Sequence, residues 1–253
     1  FSNIIKQILV TGVLLTGVSC QKFLDIVPDD VATVEHAFRL RNEAEKYLFT
    51  CYSYLPQDGN VHYNVGMLGG DEMWIPYQTA ITSYAFEIAR GNQRVSDSYV
   101  DSWVGNYEGG GPGDLYNLFH GIRQCNTFIE NMEDPSQVPD ITALERRRWI
   151  GEAEFLKAYY HFYLLRMYGP IPLIKANLPI SASPNAVKVY REPVDSCVKY
   201  IVSLLDEAAA NELLPDRISG TENTELGRIT KCIVKAIKAK VLVTAASPLF
   251  NGN

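Results

Sequence analysis

Residues 145–174 read ERRRWIGEAEFLKAYYHFYLLRMYGPIPLI, and this stretch decides the fold class. Trp149, Ala153, Leu156, Tyr160, Tyr163/Leu164 and Met167 recur at three- and four-residue intervals, the period of one helix face. Thr142 and Glu145 have capping-box spacing, in which hydroxyl and carboxylate each satisfy an orphaned backbone N–H. The predicted helix is about 24 residues long, roughly 36 Å at 1.5 Å per residue. Gly169-Pro170 ends it, with glycine past the last turn and a proline that cannot continue it. Ile171, Leu173 and Ile174 then predict an extended piece laid on the core. Trp149, Phe155, Tyr159, Tyr160, Phe162, Tyr163 and Tyr168 make the helix so aromatic that it needs partners on more than one side.

Those partners are legible on both sides of it. Val31, Val34, Phe38, Ala44, Leu48, Cys51 and Tyr52 predict a helix capped by Asp29 or Asp30 and stopped at Leu55-Pro56. A second is expected from Asp114, its cap, to Met132, with Leu115, Leu118, Ile122, Cys125, Ile129 and Met132 as its stripe. Downstream, Pro193 is pre-set for a first helical turn. Val194, Cys197, Ile201, Leu204/Leu205 and Ala208 follow it, and Leu214-Pro215 ends that helix. A last helix places Ile229, Ile233, Ala236/Ile237, Val241 and Thr244 inward and Lys231, Lys235 and Lys238 outward, until Ser247-Pro248. No alternating strand pattern competes. The class is all-α, and antiparallel helix pairs suggest a tetratricopeptide-like stack with long irregular loops, although the repeat is inexact.

Hydrophobic residues make up 47% of the 253, enough for a sizeable core, and the net charge of −6 argues against nucleic-acid binding, which needs a basic footprint. Residues 1–20, FSNIIKQILVTGVLLTGVSC, carry one charge, Lys6, before an apolar run from Ile8 to Val18. That run is too short for a bilayer, which takes about 20 residues. It has the layout of a secretory signal over residues 1–19, and Cys20 directly after Ser19 resembles the lipidated cysteine of a bacterial lipoprotein. Gly17 stands where Leu or Val is usual, and a plain signal peptide or a buried N-terminal helix is the alternative. Cys51, Cys125, Cys197 and Cys232 lie far apart in helical patterns without a C-x-x-C, and read as buried free thiols.

Residues 56–112 change character. Gly, Asn, Asp, Ser and Tyr dominate, and no helical period survives except a short stretch around Val95–Trp103. Loops this long in compact domains are functional or disordered. This one holds Trp74, Tyr77, Tyr84, Tyr99, Trp103 and Tyr107, and disorder depletes aromatics, so an ordered surface binding loop is favoured. Tyr and Trp rings stack on the C–H faces of sugars, while Asp, Asn or Arg take the hydroxyls. Asp71, Trp74, Tyr77, Trp103 and Tyr107 are the candidate ligand contacts, and a core anchor holding the loop down is the competing role for each ring. Catalysis has no support: Asp71-Glu72 are adjacent rather than opposed across a cleft, and no G-x-S-x-G is present. His36, His62, His120 and His161 have no metal-ligand spacing, and no cofactor is indicated. Arg146-Arg147-Arg148 is a solvated face or a source of local ion pairs.

Several stretches together resemble one family. They are Cys20-Gln-Lys-Phe-Leu-Asp25, Gly70-Asp-Glu-Met-Trp74, Ile122-Arg-Gln-Cys-Asn126, Phe128-Ile-Glu-Asn131, and above all Glu152–Tyr163 followed by Gly169-Pro-Ile-Pro-Leu173. Lys238-Ala-Lys-Val-Leu-Val and Ala246-Ser-Pro-Leu-Phe-Asn-Gly-Asn253 complete the match. The chain resembles the N-terminal half of SusD/RagB outer-membrane glycan-binding lipoproteins. The resemblance implies a tetratricopeptide-like fold over 20–253 and a C-terminal half that supplies further binding aromatics. It also implies lipidation at Cys20 and a place on the outer membrane, facing outside. Function would be non-enzymatic binding of a nutrient glycan and its delivery to a SusC-type TonB-dependent transporter. The acidic run that often follows the lipidated cysteine in the family is absent here. A tetratricopeptide-like module binding a protein or peptide in the cell envelope is the alternative function.

Overall fold

The computed structural model describes residues 34–59, 70, 87–96, 98–105, 117–212, 214–221 and 223–251. Expectations for the signal, Cys20 and the Asp29/Asp30 cap lie outside those residues. The chain divides into two compact units, Phe1–His36 and Ala37–Asn253. Of the first, only Val34–His36 are described. The described residues are all-helical: α1 (Val34–Ala37), α2 (Arg41–Tyr52), α3 (Leu118–Glu133), α4 (Ala143–Tyr168), α5 (Val194–Ala210), a 3-10 turn (Asn223–Glu225), α6 (Lys231–Ala245) and α7 (Pro248–Asn251).

Helix α4 is the centre of the second unit. It packs against α3 and α5 along its length and touches α2 and α6. Its buried residues therefore surround the axis: Trp149, Ala153, Phe155, Leu156, Tyr160, Phe162, Leu164 and Leu165, with Glu152, Lys157 and His161 among them. Thr142 caps it as expected, its hydroxyl accepting from Glu145 N at 3.2 Å. The Glu145 carboxylate reaches back to Thr142, as the box requires, and is also held by Arg41 at 2.7 Å. At the other end Gly169 has φ 70°, a region that favours glycine, and its N–H donates to Leu165 O at 2.9 Å. Met167 is a correction: it is 38% exposed at the rim rather than on the inner face.

The predicted helix over 31–52 is broken at Phe38–Leu40. The Phe38 ring is fully buried, 5.0 Å from Tyr47 and 5.9 Å from Phe128. Its carbonyl accepts from Val138 N at 2.9 Å, a partner outside the helix. Helix α2 restarts after an extended Leu40, and its first N–H, that of Arg41, donates to Asp140 Oδ1 at 2.8 Å. The clamp is thus supplied by the loop before α4. Arg146 holds that loop, donating to the carbonyls of Met132, Asp134, Gln137 and Val138.

Other ends also shift. Helix α3 is capped by Asn117, whose side chain accepts from His120 N; Asp114 lies outside the described residues. Pro193 is the extended residue before α5, and that helix stops at Ala210 rather than at Leu214-Pro215. Helix α6 buries only Val234 and Val241, one line two turns apart, while Ile233 is 38% exposed. Cys232 sits on its open side, so it is exposed, whereas Cys51, Cys125 and Cys197 are buried free thiols as expected. The stretch Val95–Trp103 is turns and bends, not a short helix, among its described residues.

Candidate functional site

Among the five aromatic and acidic candidates, Trp103 is the one within the described residues. Asp71, Trp74, Tyr77 and Tyr107 lie outside them. Trp103 belongs to a turn built by Asp101. The Asp101 Oδ1 atom accepts from Trp103 N at 2.8 Å and from Val104 N at 3.2 Å, and Gly105 N closes the turn onto Asp101 O at 3.0 Å. A side chain that takes two backbone N–H groups offers the chain an alternative to a helix, which is why the short predicted helix does not form here.

Two helix ends hold this turn. At the end of α4, the Tyr168 hydroxyl donates to Asp101 Oδ1 at 3.0 Å and accepts from Ser102 N at 2.9 Å. Burial and the Asp101 carboxylate both raise the Tyr168 pKa, so the hydroxyl stays protonated and able to donate. At the start of α3, Leu118 N donates to Ser102 O at 2.9 Å, and Asn117 Nδ2 donates to Val104 O at 3.1 Å. The Trp103 ring meets Phe119 edge-on at 4.9 Å and Tyr168 edge-on at 5.4 Å, and the Arg191 guanidinium lies 4.8 Å from its centroid. Edge-to-face pairs and a cation over the ring are favourable aromatic arrangements. Arg191 is itself aimed by the carbonyls of Tyr168 and Pro170, at 3.4 and 3.3 Å.

Trp103 is half-buried and lines two clefts. The first, of about 520 Å³, adds Gln93, Arg94, Ser98, Asp101, Met167, Tyr168 and Arg191. The second, of about 610 Å³, adds Phe119, Arg123, Leu173, Lys175, Asn177 and Val189. The anchoring role weighed for this ring is met, and the ring also borders open space. Phe119, Tyr168 and Arg191 contact the ring, which packs on the core cluster and lines both clefts.

The wall of the second cleft is the piece after Gly169. As expected, it is extended on the core: Ile171 is fully buried and bridges Glu192. Buried polar residues of α4 fasten it. Lys157 Nζ donates to Lys175 O at 2.7 Å, and His161 Nε2 accepts from Ile174 N at 3.3 Å. With Nε2 accepting, the ring proton is on Nδ1, which donates to Lys157 O at 2.7 Å. Burial pushes the His161 pKa down to about 4, so the ring is neutral. Asn177 finishes the seam, with Nδ2 on Thr127 Oγ1 at 2.9 Å and N on Glu130 Oε1 at 3.1 Å.

Sequence reasoning missed Asp101, Tyr168, Arg191, Arg123 and Lys175. The D-S-W triplet at 101–103 has the pattern of an aspartate-initiated turn and could have signalled the first. Nothing local marks Arg191 or Lys175, which reach the site by folding alone.

Comparison with known proteins agrees with this architecture. Residues 60–243 match a SusD-like family described as "Starch-binding associating with outer membrane". A curated SusD-like protein of Bacteroides ovatus is 28% identical over 131 residues, 52% of this chain and 22% of that protein. The solved structure of BT4246 is 32% identical with TM-score 0.65, covering 84% of this chain and 32% of that one. A laminarin-binding SusD-like protein, 21% identical with TM-score 0.62 over 81% of this chain and 40% of its own, shares the fold. The chain thus spans about a fifth to two fifths of the length of these relatives. The all-helical architecture is the SusD-like fold, and this chain belongs to the SusD-like family.

Proposed function

We propose that this chain forms part of a non-enzymatic glycan-binding lipoprotein of the outer membrane. It is tethered through Cys20 once residues 1–19 are removed, faces outward, and passes its ligand to a SusC-type TonB-dependent transporter. The family description, starch-binding and associating with the outer membrane, supports this reading, as does the name of the laminarin-binding relative. The observation that carries it is Trp103, an aromatic ring bordering two open clefts with the Arg191 guanidinium fixed 4.8 Å from its centre. A ring for the sugar's C–H face beside a guanidinium for its hydroxyls is the equipment of a saccharide subsite, and it needs no nucleophile or base. Asp71, Trp74, Tyr77 and Tyr107 are proposed as further contacts by residue type and by their place in the same excursion.

Affinity electrophoresis of the full chain through gels carrying neutral or acidic polysaccharides tests this. Retardation by at least one polysaccharide, abolished by Trp103→Ala, is the expected result. Unaltered migration in every gel would sink the reading. Co-purification with a TonB-dependent barrel from solubilised outer membrane tests the delivery step.

A further inference from the structure

The second cleft has a charge that the chain as a whole does not have. The protein carries 29 acidic and 23 basic side chains. Yet among the described residues lining this cleft there is no carboxylate, and the ionisable ones are Arg123 and Lys175. Both are exposed, and neither has a carboxylate partner within ion-pair distance among the described residues. Glu130 is the acid behind the cleft, and its two oxygens face the Asn177 backbone and side-chain N–H groups. Elsewhere the fold does pair its cations, as in Arg41–Glu145, Arg148–Glu225 and Lys238–Asp206. The first cleft repeats the bias. Arg94 and Arg191 line it with a single described acid, Asp101, whose Oδ1 is occupied by Tyr168 and two backbone N–H groups.

The lysine is also held in place. Lys175 is fixed at its backbone, where its carbonyl accepts from the buried Lys157 ammonium, and its own ammonium lies 5.6 Å from the centre of the Tyr200 ring. Arg123 projects from the middle of α3, one turn beyond Phe119. An arginine and a lysine facing one apolar-walled cleft without counter-charges are arranged for oxyanions. Guanidinium binds carboxylate or sulfate through paired N–H groups, and ammonium adds a point charge.

We infer that the second cleft takes a saccharide carrying carboxylate or sulfate groups, its sugar ring beside Trp103 and Phe119 and its anion between Arg123 and Lys175. This rests on the glycan-binding reading above and names its ligand class.

Isothermal titration of the full chain tests it with four probes: laminarin as a neutral glucan, polygalacturonate for carboxylate, chondroitin sulfate for sulfate, and polyglutamate as a polyanion without sugar. Tighter binding of polygalacturonate or chondroitin sulfate than of laminarin and polyglutamate is expected, and which of the two binds identifies the anion. The double variant Arg123→Gln/Lys175→Gln should keep its helical circular dichroism and weaken that binding by about tenfold or more, since each charged hydrogen bond contributes more than a neutral one. Laminarin bound as tightly as the acidic glycans, polyglutamate bound equally well, or an unchanged double variant would each overturn the inference and leave glycan binding standing. Binding of no saccharide at all would remove the glycan-binding reading, and this inference with it.

Discussion

Arg228 and Glu152, 76 positions apart, meet in the interior: Arg228 Nε lies 3.2 and 3.1 Å from the two Glu152 oxygens, and Nη2 lies 3.0 Å from Oε1. Glu152 is fully buried and Arg228 is 4% exposed. Tyr52 donates to Glu152 at 2.7 Å, and Arg148, Glu45 and Glu225 complete the network. The pair ties the segment before α6 to α2 and α4. Burial raises the Glu152 pKa against the opposing pull of Arg228, Tyr52 and Arg148, so desolvation outweighs the attraction. Glu152→Gln should therefore destabilise the fold by about 3 kcal/mol, because it removes the buried charge facing Arg228 Nε and Nη2 and leaves that cation only the partly exposed Glu45 and Glu225. Glu152→Leu with Arg228→Met should cost far less than the sum of the single changes. Urea denaturation of the parent and of the Glu152→Gln, Glu152→Leu, Arg228→Met and double variants measures the difference.

Glu154 gives a stability effect on the alkaline side. Half-buried on α4 near Glu207 and Glu133, its carboxyl is pushed up to about 7, first by burial and then by those charges. The folded state therefore holds a proton that the unfolded state releases near 4.5. Stability from this group is fully present below 4.5 and is lost as pH rises through 7. Glu154→Gln should match the parent protein near pH 4.5 and exceed it by about 2–3 kcal/mol at pH 8. Equal pH profiles would show that the carboxyl is not perturbed.

His161 acts in the opposite direction. Its folded pKa of about 4 lies below the unfolded value of 6.5. The neutral ring's contribution is present above 6.5 and lost as pH falls through 4. A His161→Gln variant starts less stable at pH 7, since it loosens the bond to Ile174 N. The gap between it and the parent should shrink by about 3 kcal/mol by pH 4. Parallel thermal or urea curves across pH 4–7 read this directly.

Gly121 is a helical glycine that alanine should not improve. Mid-helix Gly→Ala ordinarily gains about 1 kcal/mol. Here a Cβ would stand 3.0 Å from Tyr54 Cβ and 3.1 Å from Tyr160 Cε2. The first is close to backbone, and the second belongs to a ring whose hydroxyl is fixed on Cys51 O. Gly121→Ala should destabilise by about 1–3 kcal/mol as an overpacking change, measured by thermal denaturation.

Helices were the most legible part of this protein because their signal is local. The apolar spacing from Trp149 to Leu164, the Thr142 cap and the Gly169-Pro170 stop can all be read within one segment, and each stands where expected. Ends were lost wherever the deciding partner was remote. The break before Arg41 depends on Val138 and Asp140, roughly a hundred positions away. The α6 stripe narrowed because only Val234 and Val241 of that helix are fully enclosed by the packing.

The same division separates Trp103 from its setting. Its residue type and its place in a glycine- and tyrosine-rich excursion marked it as a candidate from the chain alone. Its neighbours Tyr168, Arg191 and Lys175 belong to a helix end and to the extended chain after it, 65 or more positions onward, and no window of sequence contains them together with Trp103. Periodicity and capping are properties of consecutive residues, so they survive reading in one dimension. Two clefts sharing one ring, and an arginine and a lysine lining one of them without a carboxylate among its described residues, exist only once α3, α4 and the segment after Gly169 have packed.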